Sequence, residues 1–275
     1  MMKTDLEVLL VVSRLKKIVI ALSLIAILTP AGLAEDKPVK QTRAVSATTA
    51  EAPFAVGERL SYDVSWSNFI VAGELTLETK DRRSFDGVDG FHVSAQAQSV
   101  GLVSAIVFKV NDVYESFINA ATMQPFRAEK KSRRGKKREE TSVMIDQQRH
   151  TARLADGTTI EIPPDTYDLA GLLYAIRTID LTPGKTRSFN LIEDNKVYAI
   201  KVKPEAREKI TTRAGSYEAV RITTEMAGGR GKSNLYNLKM YVTTDKRRLP
   251  VLITAEPNWG EVRVELTSAT GTKKK

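Results

Sequence analysis

Seven cations fall within nine residues in the run Lys130-Lys131-Ser132-Arg133-Arg134-Gly135-Lys136-Lys137-Arg138. Like charges this dense are tolerated only where water or an anion screens them, so the run is expected at an exposed hairpin tip with Arg134-Gly135 in the turn. Its chemistry is electrostatic docking to an anionic surface, such as lipid head groups or lipopolysaccharide. The plain alternative is a solvated tip. No aromatic residue interleaves with the cations, which argues against a nucleic-acid platform.

Other candidate chemistry is thinner. The chain has two histidines, His92 and His150, on separate expected strands, and no cysteine. A metal centre or a nucleophilic triad therefore lacks partners, and both histidines are expected on polar strand faces. Gly228-Gly229-Arg230-Gly231-Lys232-Ser233 imitates a phosphate loop, but Met226 stands where its first glycine belongs. A strand also follows where a helix is required, so this reads as a hairpin loop. Asp245, Arg247 and Arg248 read as a turn with a local ion pair. Carboxylates are many, but no pair is marked out by an apolar setting, so no acid–base pair can be named. No catalytic residue, metal ligand or cofactor is expected.

These residues must be positioned by a fold with one convincing helix, in the stretch from Pro163-Pro164-Asp165 to Ile179. Leu169, Leu172, Leu173, Ile176 and Ile179 form one apolar stripe, with Tyr174 and Thr178 on the far side. Asp165 is the expected cap, Asp168 reaches back to it or sits at the positive helix end, and Pro183-Gly184 closes the exit.

The rest reads as strands. Leu60, Tyr62, Val64 and Trp66 alternate with polar residues, and Gly73–Glu78 is the expected hairpin partner. Phe91, Val93, Ala95 and Ala97 alternate likewise. Ser99–Phe108 reads equally as a short helix or a hydrophobic loop. Further strands are expected at 109–118, 124–133, 138–146, 148–154, 159–162, 185–193, 196–203, 208–212, 217–224, 235–243, 249–255 and 260–266. The fold class is mainly β, an antiparallel, strongly curved sheet or open barrel of about a dozen strands with one amphipathic helix packed against it.

Arg14, Lys16 and Lys17 precede an apolar run at Ile18–Leu28 and small residues at Gly32 and Ala34. That order is a secretory signal over residues 1–34, cleaved after Ala34. The alternative is a membrane anchor, since Leu9–Val12 extends the apolar character upstream. Arg14 interrupts that longer version, and the Ile18–Leu28 run is short of the ~20 residues a span needs. Residues 35–52 read as a flexible linker, 53–269 as a single domain and 270–275 as a frayed basic tail. The formal charge is +9, of which residues 1–34 carry four basic and two acidic groups, leaving +7. For an exported chain nucleic acid is an unexpected partner, and anionic envelope components are better candidates.

Gly57-Glu58-Arg59-Leu60 with Tyr62, Val64 and Trp66, then Ala72-Gly73-Glu74-Leu75, resembles the opening of a bacterial exported family, domain of unknown function 3108. The likeness continues through Asp168-Leu169, Tyr174-Ala175-Ile176-Arg177, Ala214-Gly215-Ser216-Tyr217, Tyr241 to Asp245, Arg247-Arg248-Leu249-Pro250-Val251 and Gly260 to Leu266. It covers about residues 53–268. The resemblance implies a periplasmic β-rich domain similar in architecture to open-barrel lipoprotein carriers of the LolA/LolB type and to the sensor RseB. It supplies no catalytic residues, and the absent lipid-attachment cysteine argues against a lipoprotein.

The expected function is non-catalytic binding of a lipid, lipopolysaccharide, lipoprotein or other apolar ligand on a concave sheet. Tyr62, Trp66, Leu75, Leu77, Phe91 and Val93 would line it, with Leu102, Val103 and Ile106 as a movable rim. Lys130, Lys131, Arg133, Arg134, Lys136, Lys137 and Arg138 would dock to an anionic membrane. The rival is a structural or protein-docking module with a filled interior, and an unidentified hydrolase ranks third.

Overall fold

The computed structural model describes residues 51–66, 70–106, 109–227, 237–257 and 260–274. The expected leader, most of the linker and the Gly228–Ser233 loop lie outside the described residues.

Two meanders share one sheet. The first runs β1 (Arg59–Trp66), β2 (Ile70–Phe85), β3 (Val88–Ser99), β4 (Val110–Asn119), β5 (Pro125–Arg134), β6 (Lys137–Asp146), β7 (Thr151–Leu154) and β8 (Thr159–Glu161). The second runs β9 (Thr166–Tyr167), β10 (Arg187–Glu193), β11 (Lys196–Thr212), β12 (Gly215–Ala227), β13 (Lys239–Thr243), β14 (Pro250–Ala255) and β15 (Val262–Thr270). Short helix α1 (Gly101–Ile106) follows β3, and helix α2 (Leu169–Ile176) follows β9. Strands β9 and β10 pair parallel, with α2 in the connection, so the second meander proper is β10 to β15. Strands β1 and β15 pair antiparallel and join the two runs, giving 15 strands among the described residues in the order β8 to β1, then β15 to β9. The sheet does not close: β8 and β9 are its two ends, linked only by residues 162–165. That break is a seam, bridged by packing of Ile145 and Ala152 against Ile162 and Ile192.

Most connections are tight because the turn chemistry is right. Asp194 and Asn195 sit at φ 47° and 62° between β10 and β11, the left-handed pair of a type I′ hairpin. The separate strands expected at 196–203 and 208–212 are one 17-residue strand, β11, interrupted by a bulge between Pro204 and Arg207. Proline has no N–H for a ladder, so a bulge is where a strand can hold it. The ambiguous stretch after Ser99 is helical at α1. The basic tail is not wholly free, since Lys273 Nζ lies 2.6 Å from a Glu51 carboxylate oxygen.

Helix α2 corrects the sequence expectation twice. Its cap is Asp168, not Asp165, and Asp168 Oδ1 accepts a hydrogen bond from the Gly171 N–H at 3.0 Å. Asp165 stands in the preceding loop at φ 55°. The second correction concerns the faces. Every residue of α2 is buried, Tyr174 included at 1% exposure. The stripe of Leu169, Leu172, Leu173 and Ile176 meets Tyr62, Leu75 and Leu77 in the main core. Tyr174 packs on the other side with Phe54, Phe91, Val93 and Ile118. A helix apolar on most of its circumference is a core helix rather than a surface one. Gly171 allows it to sit this close, because a Cβ there would lie 2.8 Å from Asp168 Oδ2 and 3.0 Å from Ser116 Oγ.

Candidate functional site

The concave wall turns polar on the seam side. Cross-strand register places Asp112, Tyr114 and Ser116 of β4 beside Ala97, Ala95 and Val93 of β3, and beside Ser132, Lys130 and Ala128 of β5. Asp112 is 1% exposed, and its carboxylate accepts from Ser132 Oγ at 2.6 Å and from Arg134 Nε and Nη2 at 3.0 and 2.7 Å. Lys130 reaches across the seam and donates to Glu193 at 2.5 Å and Asp194 at 2.8 Å.

Electrostatics follow from that crowding. Burial pulls the Lys130 ammonium down, but Glu193, Tyr114 and Asp194 together hold it above its ordinary value. Burial pushes the Glu193 carboxyl above the usual carboxylate range, more than Lys130 draws it back. Lys130 rises because its one ammonium faces two carboxylates, and Glu193 rises because burial outweighs the pull of that ammonium. Burial also raises the Tyr114 phenol. Asp168 is pushed up to about 6 by burial, against hydrogen bonds from Ser116 Oγ at 2.6 Å and from the helix N-terminus. The Tyr114 ring is largely buried, with Lys130 Nζ 5.5 Å from its centre, and the residue lines the open seam.

These groups border a cleft of about 250 Å³ at the seam. Ala128, Val143, Leu154, Leu169 and Ile192 form apolar walls, and Tyr114, Thr141, Ser142, Asn195, Glu139 and the Lys130–Glu193–Asp194 cluster are polar. Asp168 also lines it, but both its oxygens are engaged in holding α2 to β4. The arrangement suits binding a group with an apolar body and a polar end. Among the described residues no cluster of three metal-ligating side chains occurs.

The raised Asp168 pKa gives a testable sign. The folded state favours the protonated acid, so this group's contribution is full below its unfolded value and is lost as pH rises through about 6. Asp168→Asn keeps a good cap and cannot ionise. Relative to wild type, the variant should gain about 2.5 kcal/mol between pH 4 and pH 8, read by urea unfolding at both ends. A stability difference that is the same at both pH values would refute the ionised-state penalty.

The residues expected to line a ligand surface divide. Tyr62, Leu75 and Leu77 pack under α2, with Trp66 half-buried at the margin. Phe91 and Val93 belong to the separate cluster around Tyr174. Leu102, Val103 and Ile106 lie on α1, and their side chains are outside the described residues. The basic run does form the β5–β6 hairpin, but its cations split by strand face. Lys130 and Arg134 point inward and are ion-paired, while Lys131, Arg133, Lys136, Lys137 and Arg138 are exposed. His150 is exposed. His92 is not: it stacks on Phe117 at 4.5 Å, lies 3.3 Å from Glu115, and burial lowers its pKa.

Sequence reasoning did not find the buried polar groups. Asp112, Tyr114 and Ser116 alternate on one face, yet Val113 between them and Phe117 just beyond look equally like core residues. Glu58 and Arg177 are both fully buried and paired at 2.6 Å, across 119 residues of chain. The Arg177 guanidinium also donates to the carbonyls of Arg247 and Arg248 at 2.9 and 3.1 Å. Three stretches on which the family resemblance was read, around Glu58, Arg177 and Arg247-Arg248, therefore meet at one point. The ion pair expected at the turn is present too, with Arg247 Nη2 at 2.6 Å from Asp245.

A profile of the family described as "Protein of unknown function (DUF3108)" matches residues 61–267. A β-barrel-like protein of domain of unknown function DUF1849 from Brucella abortus is similar in structure, with a TM-score of 0.59 at 12% identity. The alignment covers 80% of this chain and 98% of that one. Weaker likenesses are to a protein from Bacteroides fragilis classed as exported with a YmcC-like fold and to one from Parabacteroides distasonis classed as a lipoprotein. The first has a TM-score of 0.37 at 11% identity, covering 81% of this chain and 98% of that one. The second has a TM-score of 0.36 at 9% identity, covering 78% and 96%. No curated protein matches the chain.

Proposed function

The chain belongs to the DUF3108 family, and from that membership we propose that it is an exported, non-catalytic binding protein of the cell envelope whose ligand enters at the seam. Export rests on the charged, apolar and small-residue order of residues 14–34. The binding reading is carried by one observation: where the sheet fails to close, a cleft of about 250 Å³ sets apolar walls at Val143, Leu154 and Ile192 beside a polar end at Tyr114, Glu139 and Lys130. Such a lining suits a group with an apolar body and a polar end. Small-molecule pockets commonly hold about 300–1,000 Å³, so this size supports a ligand segment or single group rather than a whole lipid.

The filled structural module is the second reading, favoured by α2 occupying the barrel centre with every residue buried. The chain has no cysteine, so a single Thr141→Cys can carry an environment-sensitive fluorophore at the cleft. Lipid and peptide fractions of an envelope extract are then titrated in. A blue shift at position 141 but not at an Arg133→Cys control on the outer face is expected. No response to either fraction would hand the case to the filled module.

A further inference from the structure

We infer that the occupant of the seam is an extended polypeptide, which adds to the free half of β6 as one more strand and presents a basic and an apolar side chain, an even number of residues apart, to the cleft. The inference rests on the seam being the binding site and names what it binds. Strand β6 has ten residues, but β7 pairs with only Val143–Asp146 of it. Lys137–Ser142 pair with β5 on one side and with no strand among the described residues on the other. All six are exposed.

The backbone direction can be counted. Arg134 and Lys137 flank the two-residue turn at Gly135 and Lys136, and such flanking residues form a hydrogen-bonded pair. Lys137, Glu139 and Thr141 therefore direct N–H and C=O to β5, while Arg138, Glu140 and Ser142 direct theirs to the seam. The next hairpin agrees. The Leu154 N–H turns away from β6 to Thr158, which leaves Arg153, opposite Met144, to bond β6 in step with Arg138, Glu140 and Ser142. Three residues thus offer unpaired donors and acceptors in strand geometry, a template for strand addition.

The cleft selects the partner. Its charged lining is five carboxyl residues against one lysine, and Glu129 alone among the five is held on the outer face by Arg127. A side chain entering beside Glu139 meets Glu193 and Asp194 opposite, so a lysine or arginine fits there. One entering further along meets Val143, Leu154 and Ile192, so an apolar residue fits there. The charges on Lys137, Arg138, Glu139 and Glu140 guard the edge against indiscriminate pairing. A whole lipid offers neither the ladder of backbone groups nor the fit.

The test uses hydrogen exchange on the full chain with defined peptides. Alone, the amides of Arg138, Glu140 and Ser142 should exchange fast and those of Glu139 and Thr141 slowly. A capped hexapeptide with serine at every second position and lysine, valine and valine at the others should slow the three fast amides by about tenfold or more at saturation. The same peptide N-methylated at every residue should not, nor should a version with glutamate in place of lysine. Glu140→Pro removes one seam-facing N–H without touching the β5 ladder, and should lose peptide binding with the melting temperature nearly unchanged. Equal protection by the N-methylated or the acidic peptide overturns the inference. So does fast exchange that no peptide slows. If the Thr141 label still answers to the lipid fraction in that case, the seam reading survives and only the polypeptide falls; if it answers to nothing, both fall.

Discussion

Arg177→Met should cost about 3–5 kcal/mol, enough to unfold the domain if its total stability lies near the low end of the usual range of roughly 5–15 kcal/mol. The Arg177 and Glu58 side chains are both 0% exposed. The guanidinium donates to both Glu58 oxygens, to the Pro53 carbonyl at 3.4 Å and to the Arg247 and Arg248 carbonyls. It also lies 5.2 Å from the Phe54 ring centre. Removing it strands a buried carboxylate and frees the N-terminal segment, α2 and the β13–β14 turn from one another. Glu58→Leu should be similarly damaging, for it leaves the cation without its counter-charge. The double variant should lose less than either single one, because both buried charges go together. Urea unfolding of all four proteins checks this, and additive losses would show that the two groups do not act as a pair.

Tyr174→Asp should be as damaging as Leu173→Asp, each costing several kcal/mol, because a carboxylate without a partner is put into a closed apolar site. The amphipathic reading of α2 predicts otherwise, with Tyr174 facing water. Tyr174 instead packs edge-on against Phe54 at 4.8 Å, and its hydroxyl accepts from Thr79 Oγ1 at 3.3 Å. Tyr174→Phe keeps the ring and drops only that long hydrogen bond, so about 1 kcal/mol or less is expected. Thermal melts of the three variants decide it. If Tyr174→Asp melts within a few degrees of wild type, the second face of α2 is not buried.

The sheet was legible because it is built almost wholly from neighbours. The Asp194-Asn195 turn and the alternations of Leu60–Trp66 and Val262–Leu266 need no distant information. Fifteen strands rather than a dozen, and one β11 rather than two strands, are differences of punctuation: a bulge at Pro204 looks like a strand end from sequence. The basic run was legible as a hairpin but not as a charge distribution. Strand alternation sends Lys130 and Arg134 inward, and only the opposite wall shows that Glu193 and Asp112 await them. The cleft was not legible at all, since its lining comes from β4, β5, β6, β7, α2 with its cap, β10 and the β10–β11 turn.

Sequence alone determined that the chain is a mainly antiparallel sheet with an apolar helix, and most of the hairpins it contains. Those features follow from local rules: side-chain period, turn chemistry and the spacing of apolar residues. Tertiary structure alone decided that α2 is enclosed on all sides, that Glu58 meets Arg177, and that the sheet stays open between β8 and β9. A hydrophobic pattern records how apolar a surface is, not how many neighbours will cover it. A buried charge records nothing about its partner, because folding brings that partner from 119 residues away.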